Sequence, residues 1–203
     1  MSIHSRFFST CFAAFFIVVA GVPSPAQQRE PGLYAKFDTS MGEIVAKLFE
    51  KQAPQTIKSF VDMAEGRKEF LDASGVKVKK PAYDGTVFHR VIPDFMIQGG
   101  DPTGTGTGDP GFTIPDEFDD SLKFDIPGRL AMANVGDPNS GTCQFFFTDA
   151  PLPYLDGKHT IFGQVITGQD VVRKIARVPR DADDRPKQDV KLNRVVIERV
   201  EAK

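Results

Sequence analysis

The densest run of chemically capable residues is Phe88-His89-Arg90-Val91-Ile92-Pro93-Asp94-Phe95-Met96-Ile97-Gln98-Gly99-Gly100-Asp101. Two strands separated by Pro93-Asp94 would set Arg90, Phe95, Met96 and Gln98 close together. One face then carries a guanidinium beside apolar side chains and an amide. Met132-Ala133-Asn134 leads through a loop to Gln144-Phe145-Phe146, and Tyr154 to His159 adds apolar surface and an imidazole. Such a set supplies a permanently protonated hydrogen-bond donor, apolar contact and amide hydrogen bonding. Other chemistries fit the sequence less well. Gly99, Gly100, Gly104, Gly106 and Gly108 resemble a phosphate loop, but no Lys-Ser/Thr follows and no helix opens there. His89 and His159 lack metal-ligand spacing, so no metal is expected. A Cys–His hydrolase would need Cys143 activated by histidine and an oxyanion site, and a buried, inert thiol is the simpler reading. Asp116-Glu117 and Asp183-Asp184 read as solvated charges.

The elements that must position these groups are mostly strands. Leu33, Ala35 and Phe37 alternate with polar residues, Ser40-Met41-Gly42 turns the chain, and Ile44, Ala46 and Leu48 keep the period of two. Pro54 suits a helix start, Ile57, Phe60, Val61 and Ala64 follow at helical spacing, and Gly66 stops it. Lys68 to Pro81 is lysine-rich and aperiodic, a surface insertion. Strands are expected over Thr86 to Val91, Phe95 to Gly99, Arg129 to Ala133, Gln144 to Thr148 and Thr160 to Ile166. A short helix over Gln169 to Ala176, a loop over Pro179 to Pro186 and a strand near Lys191 to Val200 complete the chain. The spacing predicts an all-β dominated fold of about eight strands, a closed antiparallel β-barrel whose ends two α-helices cap. Along β-type alternation Phe145 and Phe147 face the core, opposite Phe146. Phe95 and Met96 are sequence neighbours and share a pocket only if the strand bends there.

Composition places these elements in one soluble domain. The chain has 203 residues, 40% hydrophobic and 26% charged, with net charge −2. No basic excess points to nucleic acid or anionic lipid. Residues 1–26 read as a secretory signal peptide: His4 and Arg6, an apolar run Phe12 to Ala20, then Pro23-Ser24-Pro25-Ala26 with small residues at −3 and −1 of a cut after Ala26. The run falls short of the roughly 20 apolar residues of a spanning helix, so no stable membrane insertion is expected after cleavage. Residues 27–32 form a flexible lead-in and 33–203 the domain. Cleavage removes Cys11, leaving Cys143 alone and no intrachain disulfide. The expected location is periplasmic or secreted.

The ordered blocks FHRVIPDFMIQGGDPTGTGTG, LAMAN, QFFFT and LDGKHTIFGQV resemble the cyclophilin family of peptidyl-prolyl isomerases, and the resemblance runs from about Leu33 to the C-terminus. It implies an eight-stranded antiparallel barrel with two capping helices, isomerase activity at Xaa–Pro bonds, no cofactor, and proline-containing segments of client proteins as partners of a monomer. Arg90 would face the proline nitrogen. Phe95, Met96, Phe146 and Leu155 would hold the proline ring. Gln98, Ala133, Asn134 and Gln144 would line or hydrogen-bond the substrate backbone, with His159 at the pocket rim. Tyr154 stands where many members have Trp, which bears on inhibitor affinity more than on isomerisation. Catalysis on unfolded exported proteins and a non-catalytic holdase are the two functions to separate, and the intact arginine-plus-pocket set favours the enzyme.

Overall fold

A computed structural model describes residues 29–202. The expected signal peptide and Cys11 lie outside the described residues. Among the described residues no helix is long and apolar enough to cross a membrane. Strands β1 (Gly32–Thr39) and β2 (Gly42–Leu48) form the hairpin the alternation foretells, with Thr39 opposite Gly42. The Thr39 hydroxyl fixes the turn, donating to the Gly42 carbonyl (2.6 Å) and accepting from the Met41 N–H (3.1 Å). Ahead of β1, Arg29 pairs with Glu198 and Glu30 with Lys47, both at 2.7 Å.

Helix α1 (Pro54–Ala64) buries Ile57, Phe60, Met63 and Ala64. It ends before Gly66, whose φ of +70° suits glycine and where a Cβ would lie 2.6 Å from the Pro81 nitrogen. Ala53 offers no side-chain cap. Glu117 does this instead, its carboxylate accepting from the N–H groups of Gln55 (3.0 Å) and Thr56 (2.8 Å). Asp116 exchanges hydrogen bonds of 2.9 and 2.8 Å with Asn139. Neither residue is the solvated charge expected. An anion on the orphan N–H groups of a helix start is stabilising, so Glu117→Ala should cost about 1–2 kcal/mol, read as a lower denaturation midpoint.

The expected surface insertion is a docked hairpin of β3 (Phe70–Leu71) and β4 (Lys77–Val78). Phe70 is buried, Leu71 N–H bonds the Pro110 carbonyl, and the Lys68 ammonium sits 3.4 Å from the Phe112 ring centre. Its anchors are distant in sequence, which is why no local period marks them.

The remaining elements are β5 (Thr86–Val87), β6 (Arg90–Ile92), β7 (Met96–Gly99), β8 (Arg129–Met132), β9 (Phe145–Thr148), a short 3-10 turn (Pro153–Leu155), β10 (Ile161–Thr167), α2 (Gln169–Ala176) and β11 (Lys191–Val200). One antiparallel sheet runs β5-β11-β1-β2-β10-β8-β9-β7-β6. The mostly β fold with two helices stands as expected. The main sheet holds nine strands among the described residues, and none of its ladders joins β5 to β6. The single strand expected over Thr86 to Val91 is divided between the two ends of this order. Phe88 N–H still bonds Val190 on the β11 side (3.0 Å), while His89 N–H already bonds Gln98 on β7 (3.1 Å). The sheet curls around a core in which Phe37, Phe60, Tyr83, Phe145, Phe147 and Phe162 pack ring against ring. Phenylalanine suits this place because it brings no polar atom needing a partner. Tyr83, the one phenol in the group, donates to the Cys143 carbonyl at 3.3 Å.

Candidate active site

Strand alternation separates two apolar clusters. Phe145 and Phe147 point into the main core, whereas Phe146 joins Met96, Phe124, Ala131, Leu155 and Ile161 on the other face, with Phe95 and Ala133 at the margin. Three of the four expected ring-binding residues (Met96, Phe146 and Leu155) are thus buried together, and Phe95 is half-buried beside them. No bulge is needed for Phe95 and Met96 to share this cluster. Phe95 belongs to the turn, its N–H bonding the Ile92 carbonyl (3.3 Å), and β7 starts only at Met96. Asp94 makes the tight turn possible with a φ of +58°.

Arg90 lies opposite Gln98 in the β6–β7 ladder. Its side chain is exposed and reaches over the Phe95 face, guanidinium carbon to ring centre 5.8 Å. Tyr154 is 58% exposed and stacks on the same ring at 6.3 Å, so the ring is approached by both a cation and a phenol. The amides form a chain: Gln98 Nε2 donates to Gln144 Oε1 (2.9 Å), and Gln144 Nε2 donates to the Gly106 carbonyl (3.0 Å). Ala133 N–H bonds the Gln144 carbonyl (3.0 Å), and Asn134 Nδ2 donates to the Lys158 carbonyl (2.8 Å). Gln98, Gly106, Thr107, Ala133, Asn134 and Gln144 line a cavity of about 350 Å³ beside the apolar cluster. His159 stands edge-on to Phe146 at 5.3 Å, with Nδ1 3.0 Å from the Met132 carbonyl. A carbonyl only accepts, so Nδ1 carries the proton and Nε2 the lone pair. Burial lowers the His159 pKa despite that hydrogen bond, which keeps the ring neutral. The structure therefore brings all ten expected site residues, with Tyr154, into one neighbourhood.

Sequence reading missed the supports. Phe124 stacks flat on Phe146, centres 6.0 Å apart at 11°, yet it sits in an aperiodic stretch with no pattern to single it out. Asp101 is fully buried and accepts from Thr103 N–H (2.8 Å), Gly106 N–H (2.7 Å) and Gly108 N–H (3.1 Å). It thereby holds the glycine-rich loop whose Gly106 carbonyl meets Gln144. Gly106 has a φ of +87°, and a Cβ there would come 2.8 Å from the His89 ring. Aspartate followed by alternating glycine and threonine was the available signal. Burial pushes the Asp101 pKa up, but the hydrogen bonds from Thr103, Gly108 and Gly106 outweigh it and hold the carboxyl below its usual value. A depressed carboxylate pKa stabilises above the unfolded value, and the contribution is lost as pH falls through the folded one. The Gly106 and Gly108 amide resonances should therefore shift together only on acidification past the range of ordinary aspartates.

The arrangement suits a neutral, partly apolar ligand: a ring on the Met96–Phe146–Leu155 surface, extended backbone along the amides, and a cation above. Cys143 supplies no nucleophile, since burial pushes its thiol up to about 12. Apolar surface, amide hydrogen bonding and a fixed positive charge on a curled antiparallel sheet are what a peptide-binding class of protein requires.

Comparison with known proteins gives that class its family. Residues 34–197 match the model of the cyclophilin type peptidyl-prolyl cis-trans isomerase/CLD family. The chain is 48% identical over 170 residues to peptidyl-prolyl cis-trans isomerase B of Streptomyces anulatus, covering 82% of this chain and 97% of that protein. It is 47% identical over 167 residues to peptidyl-prolyl cis-trans isomerase A of Mycobacterium tuberculosis, covering 80% and 91%. A crystal structure of a Cryptosporidium parvum cyclophilin type peptidyl-prolyl cis-trans isomerase in the presence of dipeptide Ala-Pro superposes with a TM-score of 0.70 at 34% identity, covering 81% of this chain and 98% of that one. The chain belongs to the cyclophilin-type peptidyl-prolyl cis-trans isomerase family and is an isomerase.

Proposed function

We propose that this isomerase accelerates rotation about Xaa–Pro bonds in unfolded or flexible exported proteins, with Arg90 as its catalytic residue. The observation that carries this reading is the Arg90 guanidinium poised over Phe95 at the edge of the Met96–Phe146–Leu155 surface. Amide resonance resists rotation with a barrier of about 18–20 kcal/mol, and uncatalysed Xaa–Pro exchange takes tens to hundreds of seconds. Turnover near 10³ per second requires removing roughly 6–7 kcal/mol. No bond breaks, so what helps is any contact stronger in the twisted state than in either planar one. Twisting makes the proline nitrogen pyramidal and gives it a lone pair, to which Arg90 donates. A charged hydrogen bond contributes about 1.5–3 kcal/mol in ordinary settings. The remainder is assigned to a clamped ring and a preorganised backbone site: Phe95, Met96, Phe146 and Leu155 for the ring, Gln98, Ala133, Asn134 and Gln144 for the backbone, and neutral His159 at the rim. The relative crystallised in the presence of Ala-Pro supports proline-containing segments as substrates.

Export rests on the apolar run and small-residue cut site within residues 1–26. The test is exchange spectroscopy on an Ala–Pro peptide with catalytic amounts of protein, together with N-terminal sequencing of the mature chain. Acceleration and an N-terminus near Gln27 are expected. No acceleration sinks the catalytic reading, and a retained Met1 sinks export.

A further inference from the structure

We propose that Arg177, on the far side of the sheet from the peptide surface, is a positioning residue for Phe95. This rests on the role given to Phe95 and Arg90 above. Arg177 follows α2, which packs against β2, β6 and β7. Its guanidinium forks between two carboxylates, Nη1 to Asp149 Oδ2 and Nη2 to Asp94 Oδ1, both at 2.6 Å. Asp149 has no exposed side-chain surface. It grips the turn at two points flanking Phe95: Oδ2 accepts from the Asp94 N–H (2.9 Å), and its own N–H bonds the Phe95 carbonyl (2.8 Å).

The turn needs such a grip. Asp94 sits at a φ of +58°, a region that non-glycine residues enter at a cost. Phe95 follows immediately and carries both the Arg90 and the Tyr154 contacts. Without Arg177, Asp149 keeps only Arg173 as a cation, 3.9 Å from Oδ1, an atom otherwise without a hydrogen-bond partner among the described residues. A buried carboxylate left in that state pulls away from the Asp94 N–H toward solvent, the turn loosens, and the ring drifts from its place under the guanidinium. Arg177 touches no ligand itself. Misplacement of a binding group by about 1 Å is enough to lower turnover severalfold or more.

The experiment is a double-mutant cycle read as kcat/KM on an Ala–Pro peptide, with thermal denaturation of every variant. Arg177→Ala should lower kcat/KM about tenfold in the wild-type background and less than about twofold once Phe95→Ala is present, because the residue acts through that ring. A general loosening of the fold would lower both backgrounds equally, and that result, or no loss at all, overturns the proposal. Arg177→Lys keeps the charge but not the fork, and should give an intermediate loss with the same dependence on Phe95. It serves as the readout if Arg177→Ala does not fold. Arg90→Ala run alongside separates the two failures: an inert Arg90→Ala sinks the site assignment, whereas an impaired Arg90→Ala with an inert Arg177→Ala sinks this proposal alone.

Discussion

Arg90→Ala is expected to lower kcat/KM for an Xaa–Pro peptide by about 100-fold, while the protein unfolds at nearly the same temperature as wild type. The first part follows from the chemistry. Removing one preorganised donor aimed at charge that develops in the transition state typically costs about 10²–10³ in rate, and 100-fold corresponds to about 2.7 kcal/mol. The second part follows from the geometry. Arg90 is exposed and lies outside both apolar clusters. Arg90→Lys should recover little, since an ammonium on a flexible stem does not present the planar donor pair over Phe95. Peptide binding, measured by titration, should survive in both variants because the ring surface and the amides are untouched. Equal isomerisation rates in wild type and Arg90→Ala, with binding retained, would turn the protein into a holdase.

The largest effect on stability belongs to Phe145, one residue away from Phe146 of the smaller apolar cluster. Its ring lies within 5.4–5.8 Å of Phe37, Phe60, Tyr83 and Phe147. A large ring removed from such a packed site leaves a cavity its neighbours cannot fill, so Phe145→Ala should cost about 3–5 kcal/mol, a large part of the 5–15 kcal/mol usual for a domain. Urea denaturation gives the measurement. Phe146→Ala removes a ring from the smaller cluster, where Phe124 and His159 are its partners. There the loss of activity should exceed the loss of stability. If Phe145→Ala abolished isomerisation in fully folded protein, or Phe146→Ala left it intact, the division of β9 into a core face and a ligand face would be wrong.

The separation of Phe146 from Phe145 and Phe147 onto two apolar faces is legible in the sequence. The period of two sets Phe146 apart from its neighbours, the Pro93-Asp94 turn places Arg90 beside Gln98, and the ordered blocks name the other candidate residues that the fold brings close to them. What escaped shares one physical cause, a partner far along the chain. Glu117 reads as a surface charge until the helix start 61 residues away is folded against it. Asp149 and Arg177 are unremarkable acid and base in sequence and become a clamp only through tertiary packing. Leu71 and Lys68 looked like loop because their anchors, Pro110 and Phe112, are supplied by another loop. The break after Val87 escaped for a related reason. Phe88 and His89 are locally strand-like, and only the competing edges of β11 and β7 decide that each bonds a different partner.

The pairing of Gly32 with Val200 has a consequence for how the molecule comes into being. Among the described residues β1 is the earliest strand made, yet one of its two flanks is filled by the last, and β11 also supplies the only ladder holding β5. While synthesis proceeds from the N-terminus, β1 keeps a bare hydrogen-bonding flank until the final ten-residue strand has emerged. Completion therefore waits on a pairing that spans most of the chain, the kind of contact that makes folding slow, and a nascent chain stalled short of Lys191 would remain unfinished and prone to pair with a neighbour.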